Sequence, residues 1–301
     1  MRTDGHRRSD NFEDRGRGSG GGMGGGGLPG GMLFALLRRI GIRGILIVAV
    51  LGGIVWFGFP QFRAPIMQLL GIGGGGQVAE GEGSVCETEA QACDFSRAVL
   101  ASTEDVWRQQ FSQGRLPNYG VQPGAYVDPT LVVFQGGVST EGCGNASSDV
   151  GPFYCPADRQ LYIDPGFYDV METRLRAPGD FAQAYVIAHE VAHHVQNLIG
   201  ATRRQVQGDS QNQNSVRVEL QADCLAGVWG HSARATLAID EADLREALNA
   251  AHAIGDDSLG HTDERSFTHG TSAQRMRWFR RGFDGGDARQ CDTFAVSYQQ
   301  L

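Results

Sequence analysis

His189-Glu190-Val191-Ala192-His193 sets two imidazoles four residues apart, with a carboxylate directly after the first. On a helix, positions i and i+4 project from one face, so His189 and His193 can offer two ring nitrogens to one metal ion. Glu190 then lies beside the metal without ligating it, placed as a general base for a water that the metal activates. A third protein ligand is required, and Glu219 and Asp223 are again four apart, among the apolar Leu220, Ala222, Leu225, Ala226 and Val228. Glu219 completes a His189, His193, Glu219 set suited to Zn2+, and Asp223 accepts the second ring N–H of a ligand histidine, fixing its tautomer.

A metzincin continuation would place a glycine and a third histidine one and two turns beyond His193, where Gln196 and Ile199 stand, so that class is excluded. His194 is turned by about 100° from His193 around a helix, so it is expected behind the ligands or exposed, not as a ligand.

These residues need elements to hold them. Residues 180–200 form an apolar helical stretch with Asp180 as expected N-cap, Gln183 at the capping-box position and Gly200 as the stop. A second helix carries Val218 to Trp229, and a third is expected over Thr103–Ser112, capped by Ser102 or Thr103 and ended by Gly114. Strand-like runs occur at 130–134, 152–155 and 160–163, and the turn-forming 156–159 joins the last two into a hairpin. The fold class is therefore α+β, mainly helical, with a small sheet or hairpin before the active-site helix. Residues 160–163 offer a candidate edge for an extended substrate.

Glycine is unevenly spread: 24 of 44 fall in the first 83 positions, so the globular core is expected after Ser84. Residues 1–43 are Gly- and Arg-rich, poor in aliphatic side chains, and are expected to be a disordered tail. The charge-free stretch between Arg43 and Arg63 holds 19 residues, near the ~20 of a spanning helix. It predicts one transmembrane helix over 44–62, a Gly-rich linker over 63–84 and a folded domain over 85–301. Arg38, Arg39 and Arg43 before the span, against Arg63 alone soon after it, place the N-terminus in the cytoplasm and the domain outside a single-pass cell membrane protein.

All 26 basic residues are Arg, and the absence of Lys excludes Schiff-base chemistry. The net charge of −8 is concentrated after residue 43 and excludes a general nucleic-acid binder. Six cysteines without C-x2-C spacing, all beyond the apolar stretch, suit disulfides in an oxidising compartment. The expected pairing is 86–93 and 143–155 by proximity and 224–291 by elimination.

Four stretches, 150–158, 179–197, 219–224 and 266–275, occur in the order found in the neutral zinc metallopeptidases of bacterial single-pass membrane proteins. The chain resembles that gluzincin-type family over most of residues 100–295. The resemblance implies a zincin-like fold and a metal-dependent peptidase acting on peptides or proteins. It also implies that His269 or Arg275, in Thr268-His-Gly-Thr-Ser-Ala-Gln-Arg275, stabilises the oxyanion or organises the site. Gly270 stands there in place of the proline of membrane-associated gluzincins.

The function expected is hydrolysis of peptide bonds by a membrane-anchored zinc enzyme with Glu190 as general base. Two alternatives stand beside it: a membrane-tethered interaction protein stapled by zinc, and an amidase of cell-wall peptides using the same site.

Overall fold

A computed structural model describes residues 1–18, 83–121 and 123–301. The expected span at 44–62 and nearly all of the expected linker lie outside these residues. Met1–Ser19 and Ala79–Leu301 together form one compact unit.

The N-terminal residues enter the fold instead of forming a tail. Strand β1 (Phe12–Arg17) pairs in parallel with β2 (Thr130–Gln135), Phe12 opposite Leu131 and Asp14 opposite Val133. Helix α1 (Ala90–Ser112) anchors the preceding residues: Arg8 forks onto Asp94 at 2.7 and 2.6 Å, and Asn11 donates to the buried Glu104 at 2.8 Å. Too few apolar side chains are present for segment 1–17 to order by itself, but the domain supplies carboxylates and a sheet edge that satisfy its arginines and backbone.

This arrangement overturns the single-pass topology. One crossing at 44–62 would leave residues 1–17 and 83–301 on opposite faces of a bilayer, whereas they share a sheet. Among the described residues no helix is long and apolar enough to cross a membrane. The described residues form an α+β domain that includes β1, and no spanning helix is among their elements.

Asp14 is the pivot of the N-terminal strand. Its carboxylate accepts from the backbone N–H of Gly16, Val85 and Cys86 and from the Ser84 hydroxyl. Burial pushes this carboxyl up, but those donors outweigh it and hold it below its ordinary value. A depressed native pKa stabilises the fold above the unfolded value of about 3.9, and the contribution is lost as pH falls through the native value. Asp14→Asn is therefore expected to cost about 1 kcal/mol at pH 7, since much of the group is solvated. Urea unfolding should show the gap between variant and wild type closing below pH 4; a gap independent of pH contradicts this role.

The main sheet has the order β1-β2-β6-β5, with β6 (Gln160–Ile163) parallel to β2 and β5 (Phe153–Cys155) antiparallel to β6. The expected hairpin is present, but β6 is interior and cannot accept another strand. The free edge on that side is β5. A separate two-stranded ribbon joins β3 (Gly137–Ser139) to β4 (Asn145–Ser147).

Helix α1 starts at Ala90, not Thr103, because the buried stripe extends back through Leu100, Val99, Ser96 and Cys93. Thr103 lies inside it, with its hydroxyl donated to Leu100 C=O. After α2 (Gly166–Thr173) comes α3 (Asp180–Ile199), ended as expected by Gly200 in left-handed conformation. Asp180 is not its cap. The Phe181 N–H is satisfied from another helix, by Glu246 of α5 (Glu241–Ala253) at 3.0 Å.

Helix α3 is buried along most of its length between the sheet side and α4 (Gln211–Ala233), and α6 (Ser272–Gly285) packs on α4. A Cβ on Gly227 of α4 would stand 2.1 Å from Phe279 C=O, and one on Gly282 of α6 would stand 1.9 Å from Cys224 C=O. The two helix backbones can approach this closely only because both positions lack side chains. That approach brings the last chemical residue of the chain, Arg275, beside α4. The three disulfides are 86–93, 143–155 and 224–291, as expected.

Candidate metal centre and active site

Helix α3 presents His189 and His193 toward the first half of α4, where Glu219 faces them. His189 Nε2 lies 3.2 Å from Glu219 Oε2, and His193 Nε2 lies 3.5 Å from Glu219 Oε1. Tetrahedral zinc with ligand bonds of about 2.0–2.1 Å needs its donor atoms about 3.3–3.4 Å apart. The observed separations bracket that value, and among the described residues this is the group of His, Cys, Asp and Glu side chains that converges as a metal site. The donor set therefore fits zinc.

The electrostatics point the same way. Burial pushes Glu219 up, but His193 and His189 outweigh it and hold the carboxylate well below its ordinary range. Burial pulls His189 down, yet Asp223 and Glu219 raise it to about 10, so the two carboxylates demand a cation at this spot. A bound divalent ion meets that demand in place of the proton.

Asp223 lies one turn beyond Glu219 and is fully buried. Its Oδ1 is 2.9 Å from His189 Nδ1, at ion-pair distance though poorly aligned as a hydrogen bond. A carboxylate oxygen in that position favours the proton on Nδ1 and leaves Nε2 free for a metal. The same carboxylate accepts two bonds from Arg275, both at 2.9 Å, and one from the Tyr185 hydroxyl at 2.5 Å. Arg275 spends its third donor group on Ile254 C=O. Its guanidinium is thus committed mainly to neutralising Asp223.

Glu190 opens into a cleft of about 630 Å³ that also exposes the three candidate ligands. Burial, opposed by the nearby His189 and reinforced by the Glu219 charge, pushes its carboxyl up to about 7. The backbone N–H of Tyr154 on β5 acts the other way, favouring the charged carboxylate.

His269 lines the cleft half-exposed, with Nδ1 3.2 Å from Asp256 Oδ1. The other Asp256 oxygen gathers the backbone N–H groups of Thr268, His269 and Gly270 at 2.7–3.0 Å. This carboxylate fixes the loop that carries His269, and the sequence reading did not include it. Gly270 adopts φ +90°, which a proline cannot, so the loop differs here from the Pro-bearing pattern.

Two further residues have partners that the sequence does not reveal. His194 is fully buried, donating from Nε2 to Val127 C=O at 2.7 Å and accepting at Nδ1 from the Tyr154 hydroxyl at 3.0 Å. Burial lowers its pKa to about 4, so it stays neutral and fastens β5 to α3. Gln196 accepts from His193 Nδ1 at 2.8 Å. The one available signal was its position, a turn beyond the second ligand.

A two-histidine helix, a Glu-x-x-x-Asp helix and a carboxylate beside the first histidine, under the edge of a small sheet, define an α+β metallopeptidase-type domain. The chain belongs to the family described as "Putative neutral zinc metallopeptidase", whose model matches residues 1–294. That match includes the N-terminal strand. The uncharacterized protein YpfJ of Escherichia coli (strain K12) is 46% identical over 312 residues, which cover 99% of this chain and 100% of that protein. An uncharacterized protein of Mycobacterium bovis is 40% identical over 235 residues, 71% of this chain and 76% of its own length. No solved structure matches.

Proposed function

We propose that the protein is a zinc-dependent peptidase, with His189, His193 and Glu219 holding the metal and Glu190 as general base. The observation that carries the reading is the joint geometry of three converging donors and a separate carboxylate opening on one cleft. When bound, zinc supplies Lewis acidity and an activated water. Glu190, with its carboxyl near neutrality, takes the proton from the attacking water and passes it to the leaving amine. His269, oriented by Asp256, faces the cleft as a donor toward the substrate carbonyl oxygen. Strand β5 offers its outer edge to an extended peptide.

The cleft wall suits bulky apolar side chains. Pro152, Phe153, Phe167, Val218, Ile254 and Leu259 line it, and Leu259 stands 51% exposed. A peptide with large apolar residues beside the scissile bond would cover this surface, at about 25 cal/mol per Å² buried.

A purely structural zinc has less support. All six cysteines are paired, and the converging group among the described residues is His189, His193 and Glu219 without His269, so no fourth protein ligand joins them there. An open position is the mark of a catalytic centre. The three disulfides also support an oxidising compartment for the domain.

The test is an unbiased peptide library incubated with the full chain, zinc-loaded or chelated. Cleavage beside large apolar residues, abolished by chelation and restored by zinc, is expected. A zinc-bearing protein that leaves the whole library intact contradicts the reading.

A further inference from the structure

Gln196, the residue against His193, is fully buried, and so is its neighbour Gln221 on α4. Gln196 Nε2 donates to Val218 C=O at 2.7 Å and to Gln221 Oε1 at 3.1 Å. Gln221 Nε2 donates to Cys291 C=O at 2.9 Å and to the Tyr119 hydroxyl at 2.5 Å. The Tyr119 hydroxyl donates in turn to Asp292 Oδ1 at 2.9 Å. Cys291 is held to α4 by its disulfide with Cys224.

The direction of every bond in this chain is forced. A backbone carbonyl and a carboxylate only accept. Cys291 C=O therefore requires the amide nitrogen of Gln221. Because the Tyr119 proton goes to Asp292, the Tyr119 oxygen also accepts from that nitrogen. The Gln221 oxygen must then point at Gln196, whose nitrogen is demanded a second time by Val218 C=O. Only the Gln196 oxygen remains for His193, so Nδ1 must carry a proton, and in the neutral ring the lone pair then falls on Nε2, on the Glu219 side. All four amide N–H groups of the two glutamines are used, so reversing either amide would bury unsatisfied groups at about 1–3 kcal/mol each.

We propose that Gln196 and Gln221 are positioning residues that fix the tautomer of His193 from the Cys224–Cys291 crosslink, holding Nε2 metal-ready before any metal arrives. This deepens the zinc-peptidase reading and rests on it for its purpose, but the tautomer is a property of the metal-free chain. Asp223 does the corresponding work for His189 through a charge. For His193 a neutral amide relay does it, so the ligand set acquires no further negative charge.

The experiment is 15N NMR of ring-labelled histidine in the full chain without metal, with zinc affinity by chelator competition as a second readout. Wild type should show His193 with a protonated Nδ1 and a bare Nε2. Gln196→Met removes the acceptor and should give a mixture of tautomers and a loss of zinc affinity of about 10–100-fold. Gln221→Met leaves Gln196 pinned by Val218 alone and should give an intermediate shift, with native circular dichroism as the control for folding. A His193 signature unchanged in Gln196→Met, or a wild-type ring protonated on Nε2, overturns the proposal. If wild type bound no zinc, the peptidase reading would fail while the tautomer result still judged the relay.

Discussion

Glu190→Gln lowers kcat/KM for peptide cleavage by about 10²–10⁴-fold and leaves zinc affinity within a few-fold of wild type. The magnitude is the usual contribution of a positioned general base. The separation of the two effects follows from geometry, because Glu190 opens on the cleft but is not among the three converging donors. The amide is nearly isosteric with the carboxylate and cannot accept a proton from water. Steady-state rates on a peptide cleaved by wild type, with metal content determined on the same samples, read both effects. Activity within tenfold of wild type would remove Glu190 from the mechanism, and loss of zinc would recast it as a ligand.

Asp223→Ala is expected to cost about 3–5 kcal/mol of stability and about 10–100-fold in zinc affinity. The stability loss arises because Arg275 is buried and cannot shed its charge: the mutation strands a guanidinium whose two strongest bonds went to Asp223. The loss of affinity arises because His189 Nδ1 forfeits the carboxylate beside it. Asp223→Leu combined with Arg275→Met should recover much of the stability, since a hydrophobic pair of similar volume replaces a buried ion pair at little net cost. It should not recover the zinc affinity. Urea unfolding of metal-free protein gives the first quantity and chelator competition the second. A single Asp223 variant that loses less than about 1 kcal/mol would mean that Arg275 finds other partners.

The convergence of His189, His193 and Glu219 on a candidate metal site was legible in the sequence because its information is local. Two pairs of residues at i, i+4 on apolar helices already define which side chains share a face, and they left only the question of whether the two faces meet. The hairpin 153–163 and the disulfide pairing were legible for similar reasons of short spacing and of parity. Strand β1 was not. Asn-Phe-Glu-Asp-Arg-Gly-Arg carries no alternation of apolar and polar residues, and its partner Thr130–Gln135 is more than a hundred positions away. What recruits it is a sheet edge and acceptors on α1, neither of which composition reveals. That unrecognised strand is also why the charge bias around Arg38 to Arg43 led to a topology that the shared sheet forbids. Gln196, His194 and Asp256 were hidden in another way: the bonds that orient each of them come from residues outside its own helix or turn.

X-ray absorption at the zinc edge, on full-length protein loaded with one equivalent of the metal, tests the central claim most directly. The account predicts nitrogen and oxygen neighbours alone at about 2.0–2.2 Å, with imidazole scattering from two rings, lost in the His189→Ala and His193→Ala variants. Sulfur at about 2.3 Å, or a protein that takes up no zinc, would contradict it.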